Sequence, residues 1–151
     1  MKKILVADDS ITIQKIVAMA FEKEDALVEG ISNGKDAFDK LEGFQPDIVL
    51  ADVDMPGLTG FELSKKIKGE PKFSSTKVLL LASDFEDFSE SLFIASGADD
   101  HISKPFKSDD IIKRVTNLLT QNISPLTRDA NNLVSTDTNK TIELSTNNLI
   151  I

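Results

Sequence analysis

Short apolar runs that stop at charged or turn residues constrain the fold of this chain more than any other feature. The runs occupy residues 4–7, 48–51 and 101–103. The first ends at Asp8 and Asp9, the second ends at Asp52, and the third leads into Lys104. Such runs are typical of buried parallel strands. Because the loops at the carboxyl ends of parallel strands converge on one crevice, we expect these charged residues to lie together.

Segments with helical spacing of apolar residues separate the strand-like runs. We predict strands at 2–7, 26–31, 48–51, 78–81 and 101–103. We predict helices at about 10–21, 60–68, 88–96 and 108–121, with a further helix after the start signal at 32–34. Five strands that alternate with five helices indicate an α/β fold with a doubly wound parallel sheet.

Length and composition set the domain organisation. The chain has 151 residues, of which 40% are hydrophobic, which suits one domain with an appendage. The composition changes near Asn122, after which Asn, Thr and Ser dominate and charges are few. We therefore predict a folded domain over residues 1–122 and a polar, flexible tail over residues 123–151.

The composition also excludes several classes of protein. The absence of cysteine excludes disulfides and thiolate metal sites. No apolar stretch is long enough to cross a bilayer, and acids interrupt the N-terminal residues too early for a signal peptide. A net charge of -8 argues against a broad basic face for nucleic acid. We expect a cytoplasmic protein that inserts into no membrane and binds no nucleic acid.

Several short motifs occur in order along the chain, namely Asp8-Asp9, Asp52 with Met55-Pro56 and Gly60, Gly97-Ala98, and Lys104-Pro105-Phe106. Together they resemble the receiver domain of two-component response regulators, the CheY-like family. The resemblance covers roughly residues 2 to 121. It implies a flavodoxin-like sheet in strand order 2-1-3-4-5. It also implies a phosphorelay partner, either a sensor histidine kinase or a histidine phosphotransfer protein, and an output protein that the sequence does not identify.

The charged residues suit phosphoryl transfer on chemical grounds. Asp52, at a strand end, is the expected acceptor, because the nucleophile must be an unprotonated and exposed carboxylate. Clustered carboxylates repel one another, and a bound Mg²⁺ would relieve that repulsion. We expect Asp9 and Asp52 to be direct ligands and Asp8 to act through water. Lys104 is expected to neutralise the phosphoryl oxygens.

The resemblance adds three further expectations. The main-chain carbonyl of Asp54 would complete the metal ligands, and the Lys104–Pro105 peptide would be cis. It also implies that the protein is not an enzyme in the usual sense, since it would catalyse only its own phosphorylation and dephosphorylation.

The sequence departs from the family pattern on the last two strands. The family carries Thr or Ser at the end of the fourth strand, and counting back from Gly97 and Lys104 puts Ala82 in that position. Ser83 follows it, but strand side chains alternate, so Ser83 does not automatically replace the hydroxyl, although a local bulge could bring it into place. His101 occupies the usual position of a Tyr or Phe. We interpret this single histidine as a partly buried, aromatic-like side chain rather than a ligand.

Other interpretations remain open. Taken alone, Asp8, Asp9 and Ser10 could simply cap a helix, and Lys104 could be a surface lysine. The departures on the last strands would suit a pseudo-receiver, an interaction module that is never phosphorylated. The segment Asp52-Val53-Asp54 mimics the D-x-D of haloacid dehalogenase phosphohydrolases. That family places its second acid pair after this motif, whereas here the pair precedes it, and the chain has no cap insertion.

Overall fold

The computed structural model of the chain describes residues 1–83 and 88–120. Within them, strands and helices alternate along the chain. The strands are β1 (Lys2–Ala7), β2 (Ala26–Ile31), β3 (Ile48–Asp52), β4 (Lys77–Ser83) and β5 (Asp100–Lys104). The helices are α1 (Ile11–Ala20), α2 (Gly34–Phe44), α3 (Gly60–Lys68), α4 (Glu90–Ser96) and α5 (Ser108–Thr120), with one 3₁₀ turn at Pro71–Phe73. The predicted tail at 123–151 lies outside the described residues, so the boundary at 122 stays a prediction.

The strands form one parallel sheet in the order β2-β1-β3-β4-β5. This order and the five helices confirm the predicted flavodoxin-like α/β fold. The order reverses next to β1, because β2 lies on one side of it and β3 on the other. In open α/β sheets, the crevice outside the carboxyl ends of the strands at such a reversal is where ligands bind.

The core lies along the central strands. Every residue of β3 is buried, as are residues 78–82 of β4. The helices α2 and α3 pack on the same cluster through Leu41, Leu63 and Ile67, all of which are fully buried. Each such side chain contributes roughly 1.5–3 kcal/mol relative to exposure. Over the described ranges, no helix has both the length and the apolar character needed to cross a membrane.

Local capping explains where the helices begin. Ser10 caps α1 by accepting a hydrogen bond from the amide of Ile13, so the helix starts one residue later than predicted. Ser89 caps α4 in the same way, so that helix begins at Glu90 and not at residue 88. A Ser at the N-cap satisfies an amide that has no partner within the helix, which makes these starts favourable.

Two strands are longer than their apolar runs. The fourth strand was predicted to end at residue 81, but β4 continues to Ser83. The fifth was predicted at 101–103, but β5 spans Asp100–Lys104. In both cases backbone pairing with the neighbouring strand extends the element beyond its apolar residues. The extension adds Ser83 and Lys104 to the sheet.

Candidate functional site

The end of β1 places two acids in different environments. Asp8 is fully buried, whereas Asp9 is exposed. One carboxylate oxygen of Asp8, Oδ1, accepts a hydrogen bond from the Ser10 amide at 2.9 Å. Because Ser10 itself provides the side-chain cap of α1, the acids are not needed as the N-cap. The burial of the Asp8 carboxylate therefore has another explanation, which is the contact made by its second oxygen, Oδ2.

The second oxygen of Asp8 contacts the lysine at the end of β5. The Nζ of Lys104 lies 3.1 Å from Asp8 Oδ2 and 3.2 Å from Asp52 Oδ1. The lysine side chain is 18% exposed, and the Asp8 and Asp52 side chains are 0% and 7% exposed. One ammonium group thus bridges two buried carboxylates, one just after the end of β1 and one at the end of β3. The Lys104–Pro105 peptide is cis, as the resemblance implied.

The expectation of an exposed acceptor is wrong, because Asp52 ends the fully buried strand β3 and its own side chain is only 7% exposed. Its Oδ1 also accepts a hydrogen bond from the Asp54 amide at 3.4 Å. The first residue of α3, Gly60, lies against the Asp52 backbone, where a Cβ on Gly60 would be 2.5 Å from the Asp52 carbonyl oxygen. Glycine is therefore required for α3 to begin this close to the acceptor candidate.

The electrostatics of the site follow from burial and crowding. Burial, with a further contribution from the charge of Asp8, raises the pKa of Asp52 from 3.8 to about 6, although Lys104 acts in the opposite direction. Burial lowers the pKa of Lys104, but the attraction of Asp8 and Asp52 outweighs it and leaves that pKa above its ordinary value. The lysine therefore stays charged, while Asp52 is held near the boundary between its two protonation states.

The same acids meet the requirements of a divalent metal site. Ligand atoms of Asp8, Asp9 and Asp52 all lie within 4.8 Å of one another. Three carboxylates and one ammonium leave net negative charge at this point, and a donor set made only of oxygen suits Mg²⁺ or Ca²⁺. The residues therefore fit a hard cation. The roles of the individual acids as ligands stay predictions.

The pairing register bears on Ser83 and Ala82. Ser83 pairs with Lys104 across β4 and β5, and Leu81 pairs with Asp52 across β3 and β4. Paired residues of parallel strands share a face of the sheet, and so do residues two apart on one strand. Ser83 thus shares a face with Asp52 and Lys104, in a continuous register that contains no bulge. Ala82 has the opposite parity and is buried. A contact of Ser83 with a phosphoryl group stays a prediction.

His101 packs as an aromatic side chain. Its ring stacks on Phe88 with centroids 4.2 Å apart and meets the edge of Phe93 at 5.0 Å. Phe88 in turn lies 5.7 Å from Phe61 on α3. This arrangement agrees with the interpretation of His101 as a partly buried, aromatic-like side chain. The sequence carries no local signal that Phe88 stacks on His101, because Phe88 lies before the N-cap of α4 and so outside any periodic element.

Sequence reasoning missed Gln14 on α1. Its side-chain amide donates to the Asp8 carbonyl at 2.8 Å and to Ser32 Oγ at 3.3 Å. The one available signal was a polar residue beside the apolar positions of the first helix, at Ile13 and Ile16. That signal is weak, because half-buried glutamines on helices are common.

Comparisons with known proteins agree with this geometry. The family model of the response regulator receiver domain matches residues 4–116. The transcriptional regulatory protein CpxR homolog of Haemophilus influenzae is 36% identical over 126 residues, which cover 83% of this chain and 53% of that protein. The chain thus spans about half the length of this curated relative.

Solved structures show the same fold. The chemotaxis response regulator CheY4 of Vibrio cholerae matches with a TM-score of 0.71 and 29% identity, over 78% of this chain and 98% of that one. The receiver domain of the Francisella response regulator 1452 also has a TM-score of 0.71 and 29% identity, over 81% of this chain and 99% of that one.

Proposed function

The chain belongs to the response regulator receiver domain family, and we propose that it is a phosphorylatable switch of a two-component phosphorelay with Asp52 as the acceptor. One observation carries the proposal. The Asp52 carboxylate ends a central strand, lies 3.2 Å from the ammonium of Lys104 and shares an acidic cluster with Asp8 and Asp9. The proposed nucleophile, a positively charged side chain and a set of oxygen donors suited to a metal ion thus lie together.

The phosphoryl donor in this proposal is a phosphohistidine on a sensor histidine kinase or a histidine phosphotransfer protein. A carboxylate oxygen of Asp52 attacks phosphorus in line, so that an O–P bond forms while the P–N bond breaks. The electron pair of the broken bond stays on the imidazole, which takes a proton from solvent. Lys104 needs no large movement, because its Nζ already lies against the attacking carboxylate and can hold negative charge on the phosphoryl oxygens.

Asp8, Asp9, Asp52 and the main-chain carbonyl of Asp54 are the residues proposed to hold Mg²⁺. When bound, the ion supplies positive charge that offsets the carboxylates and the phosphoryl oxygens. Asp9 is the exposed member of the set and can reach an ion that still keeps several waters. Burial of Asp8 and Asp52 strengthens their electrostatic interactions, because water screens them less.

The output in this proposal is a change in protein–protein contacts. The aspartyl phosphate would bias a surface with two states, formed by α4, β5 and α5. The protein acts on no other substrate and catalyses only its own phosphorylation and dephosphorylation. A cytoplasmic location belongs to the same proposal, because the phosphoryl group of a histidine kinase comes from ATP.

Acetyl phosphate tests the acceptor without a known kinase. We expect intact mass analysis, after incubation with acetyl phosphate and Mg²⁺, to show one phosphate adduct on the wild type and none on Asp52→Asn. Asp39→Asn is the matched control, because it makes the same chemical change at an exposed acid that pairs with Lys35. The adduct should form on this control and disappear when EDTA replaces Mg²⁺.

A pseudo-receiver is the second candidate function. Ala82, which brings no hydroxyl, and His101 in place of Tyr or Phe favour it. No adduct on the folded wild-type protein would overturn the phosphorylation proposal and support this candidate. An adduct on both the wild type and Asp52→Asn would place the acceptor elsewhere.

A further inference from the structure

We propose that Gln14 is a positioning residue that holds the β1–α1 loop, and with it Asp9, in the geometry that a divalent cation needs. The inference rests on the proposed function, because the acids of this loop are taken as the metal ligands. Gln14 lies on α1 and contacts the loop from the side of β2, through its carboxamide group. Its contacts are with main chain and with a hydroxyl, so it touches none of the reacting atoms.

The first contact sets the direction of one peptide plane. The Nε2 of Gln14 donates to the carbonyl oxygen of Asp8 at 2.8 Å. That carbonyl and the amide nitrogen of Asp9 belong to the same planar peptide group. A hydrogen bond to the carbonyl therefore limits rotation of the plane from which Asp9 begins. Asp8 is also fixed by its burial and by Lys104, but Asp9 is exposed and depends more on its backbone.

The second contact ties this loop to its neighbour. A primary amide has two N–H donors, and Gln14 directs the other toward Ser32 Oγ at 3.3 Å. The adjoining Asp8 amide donates to the Ile31 carbonyl at 3.0 Å. The Gly34 amide donates to the Pro56 carbonyl at 3.1 Å, on the loop that follows Asp52. The segment around Ser32 and Gly34 is thus hydrogen-bonded to both regions that flank the acids, the start of α1 beside Asp8 and the loop that follows Asp52.

Gly30 leaves the space that the Gln14 carboxamide occupies. A Cβ at position 30 would lie 2.2 Å from the Gln14 Oε1 and 2.8 Å from its Cδ. These atoms are the end of a flexible side chain, so a methyl group there would displace the carboxamide without moving the backbone. Gly30 and Gln14 therefore form one unit, and either substitution should break the same hydrogen bonds.

A double-mutant cycle tests this unit. We expect Gln14→Ala and Gly30→Ala each to weaken Mg²⁺ binding about tenfold, the lower end of effects seen when partners that orient metal ligands are removed. Isothermal titration with Mg²⁺ alone measures this affinity. Once Gln14 is alanine, the methyl group at position 30 has nothing to displace, so the double variant should bind as the single variants do. Lys15→Ala, an exposed neighbour on α1, is the control and should bind like the wild type.

A readout without metal separates positioning from general stability. In EDTA, we expect the Ser10 amide, which donates to Asp8 Oδ1, to exchange its hydrogen roughly fivefold faster in Gln14→Ala, as the loss of one net hydrogen bond would allow. The thermal unfolding midpoint should fall by only a few degrees, the shift that a loss of about 1 kcal/mol gives in a domain of this size.

Two outcomes would overturn the inference. One is wild-type Mg²⁺ affinity together with wild-type exchange in Gln14→Ala. The other is a double variant in which the losses of Mg²⁺ affinity caused by Gln14→Ala and by Gly30→Ala add in full. If the wild type itself fails to bind Mg²⁺, the proposed function fails, and the exchange rates in EDTA then decide the role of Gln14 alone.

Discussion

Lys104 has two opposing effects on the carboxylates that it bridges. It stabilises Asp8 and Asp52 in their buried positions, since an unpaired charge in such a place is costly. It also competes with any cation for the same oxygens. Without a bound metal, Lys104 is thus the ion-pair partner of both carboxylates. In the proposed chemistry it stabilises the charge on the phosphoryl oxygens.

Replacing Lys104 should separate these two effects. We expect Lys104→Met to slow phosphorylation by acetyl phosphate about 10²–10³-fold, the range for loss of one group that stabilises developing charge. The same variant should bind Mg²⁺ more tightly than the wild type, because the carboxylates lose a competing cation. Phosphorylation kinetics and calorimetric titration measure the two effects. Lys113→Met, at an exposed lysine of α5, is the control, and a parallel loss of both properties in Lys104→Met would contradict the prediction.

The protonation of Asp52 should make stability depend on pH. Burial and the charge of Asp8 raise the pKa of Asp52 from 3.8 to about 6, so between these values the folded chain keeps a proton that the unfolded chain has released. In EDTA, the free energy of unfolding should therefore fall as pH rises through this window, by up to about 3 kcal/mol from this group.

Urea denaturation across the window, on wild type and on Asp52→Asn, measures this contribution. The Asn variant lacks the titrating group, so its stability should fall less over the same range of pH. Asp39→Asn should follow the wild type, since its carboxylate is exposed. Identical pH dependence in wild type and Asp52→Asn would show that Asp52 does not carry the effect.

At the scale of elements, the start of α3 determines how closely the sheet and helix meet at the acceptor. Thr59 and Glu62 form a capping box that fixes the first turn of α3. Gly60 then lets that turn lie against the Asp52 backbone. The start of α3 thus packs directly against the end of β3. A displacement of the backbone at either end should therefore displace the other.

Two glycine substitutions test this contact. We expect Gly60→Ala to destabilise the protein by about 1–3 kcal/mol, because its Cβ would meet main-chain atoms of Asp52 that cannot move freely. It should also slow phosphorylation. Gly43→Ala, on α2, is the matched control, because no atom beyond its chain neighbours and the backbone of its own helix turn lies within 4 Å of the added Cβ. This control should gain roughly 0.5–1 kcal/mol from helix propensity. The midpoints of urea denaturation measure both changes in stability. Equal changes for Gly60→Ala and Gly43→Ala would contradict the argument.

At the scale of the whole molecule, the parallel sheet joins parts of the chain that are far apart in sequence. The ion pair of Lys104 with Asp8 spans 96 positions, and that with Asp52 spans 52. A ligand that holds these strand ends together must stabilise the folded state as a whole, because the unfolded chain does not present them as a group.

Magnesium should therefore raise the stability of the entire domain. At a concentration 100-fold above its dissociation constant, a ligand of the folded state adds about 2.7 kcal/mol. We expect a matching rise of the unfolding midpoint in Mg²⁺ over NaCl of equal ionic strength, and we expect Asp9→Asn to lose most of it. Thermal unfolding followed by circular dichroism measures the shift. A full Mg²⁺ response in Asp9→Asn would remove Asp9 from the ligands.

Much of this fold was predictable because its signals are local. Hydrophobic periodicity identified the strands and helices in order, and their alternation indicated a parallel sheet. The convergence of Asp8, Asp9, Asp52 and Lys104 followed from one topological rule, that the carboxyl ends of parallel strands meet. The errors lay at element ends, such as the start of α4 at Glu90, where a single cap residue decides the boundary.

The sequence by itself thus determined the class of fold and the charged groups at its strand ends, since both depend on the order of residues along the chain. The tertiary structure alone decided which side chains touch. It placed Ser83 on the face of Asp52, stacked His101 on Phe88 and brought Gln14 to the Asp8 carbonyl. These contacts depend on strand register and on packing between distant segments. Local periodicity does not specify either of them here, because β3 and most of β4 are buried on both faces and their apolar residues do not alternate with polar ones.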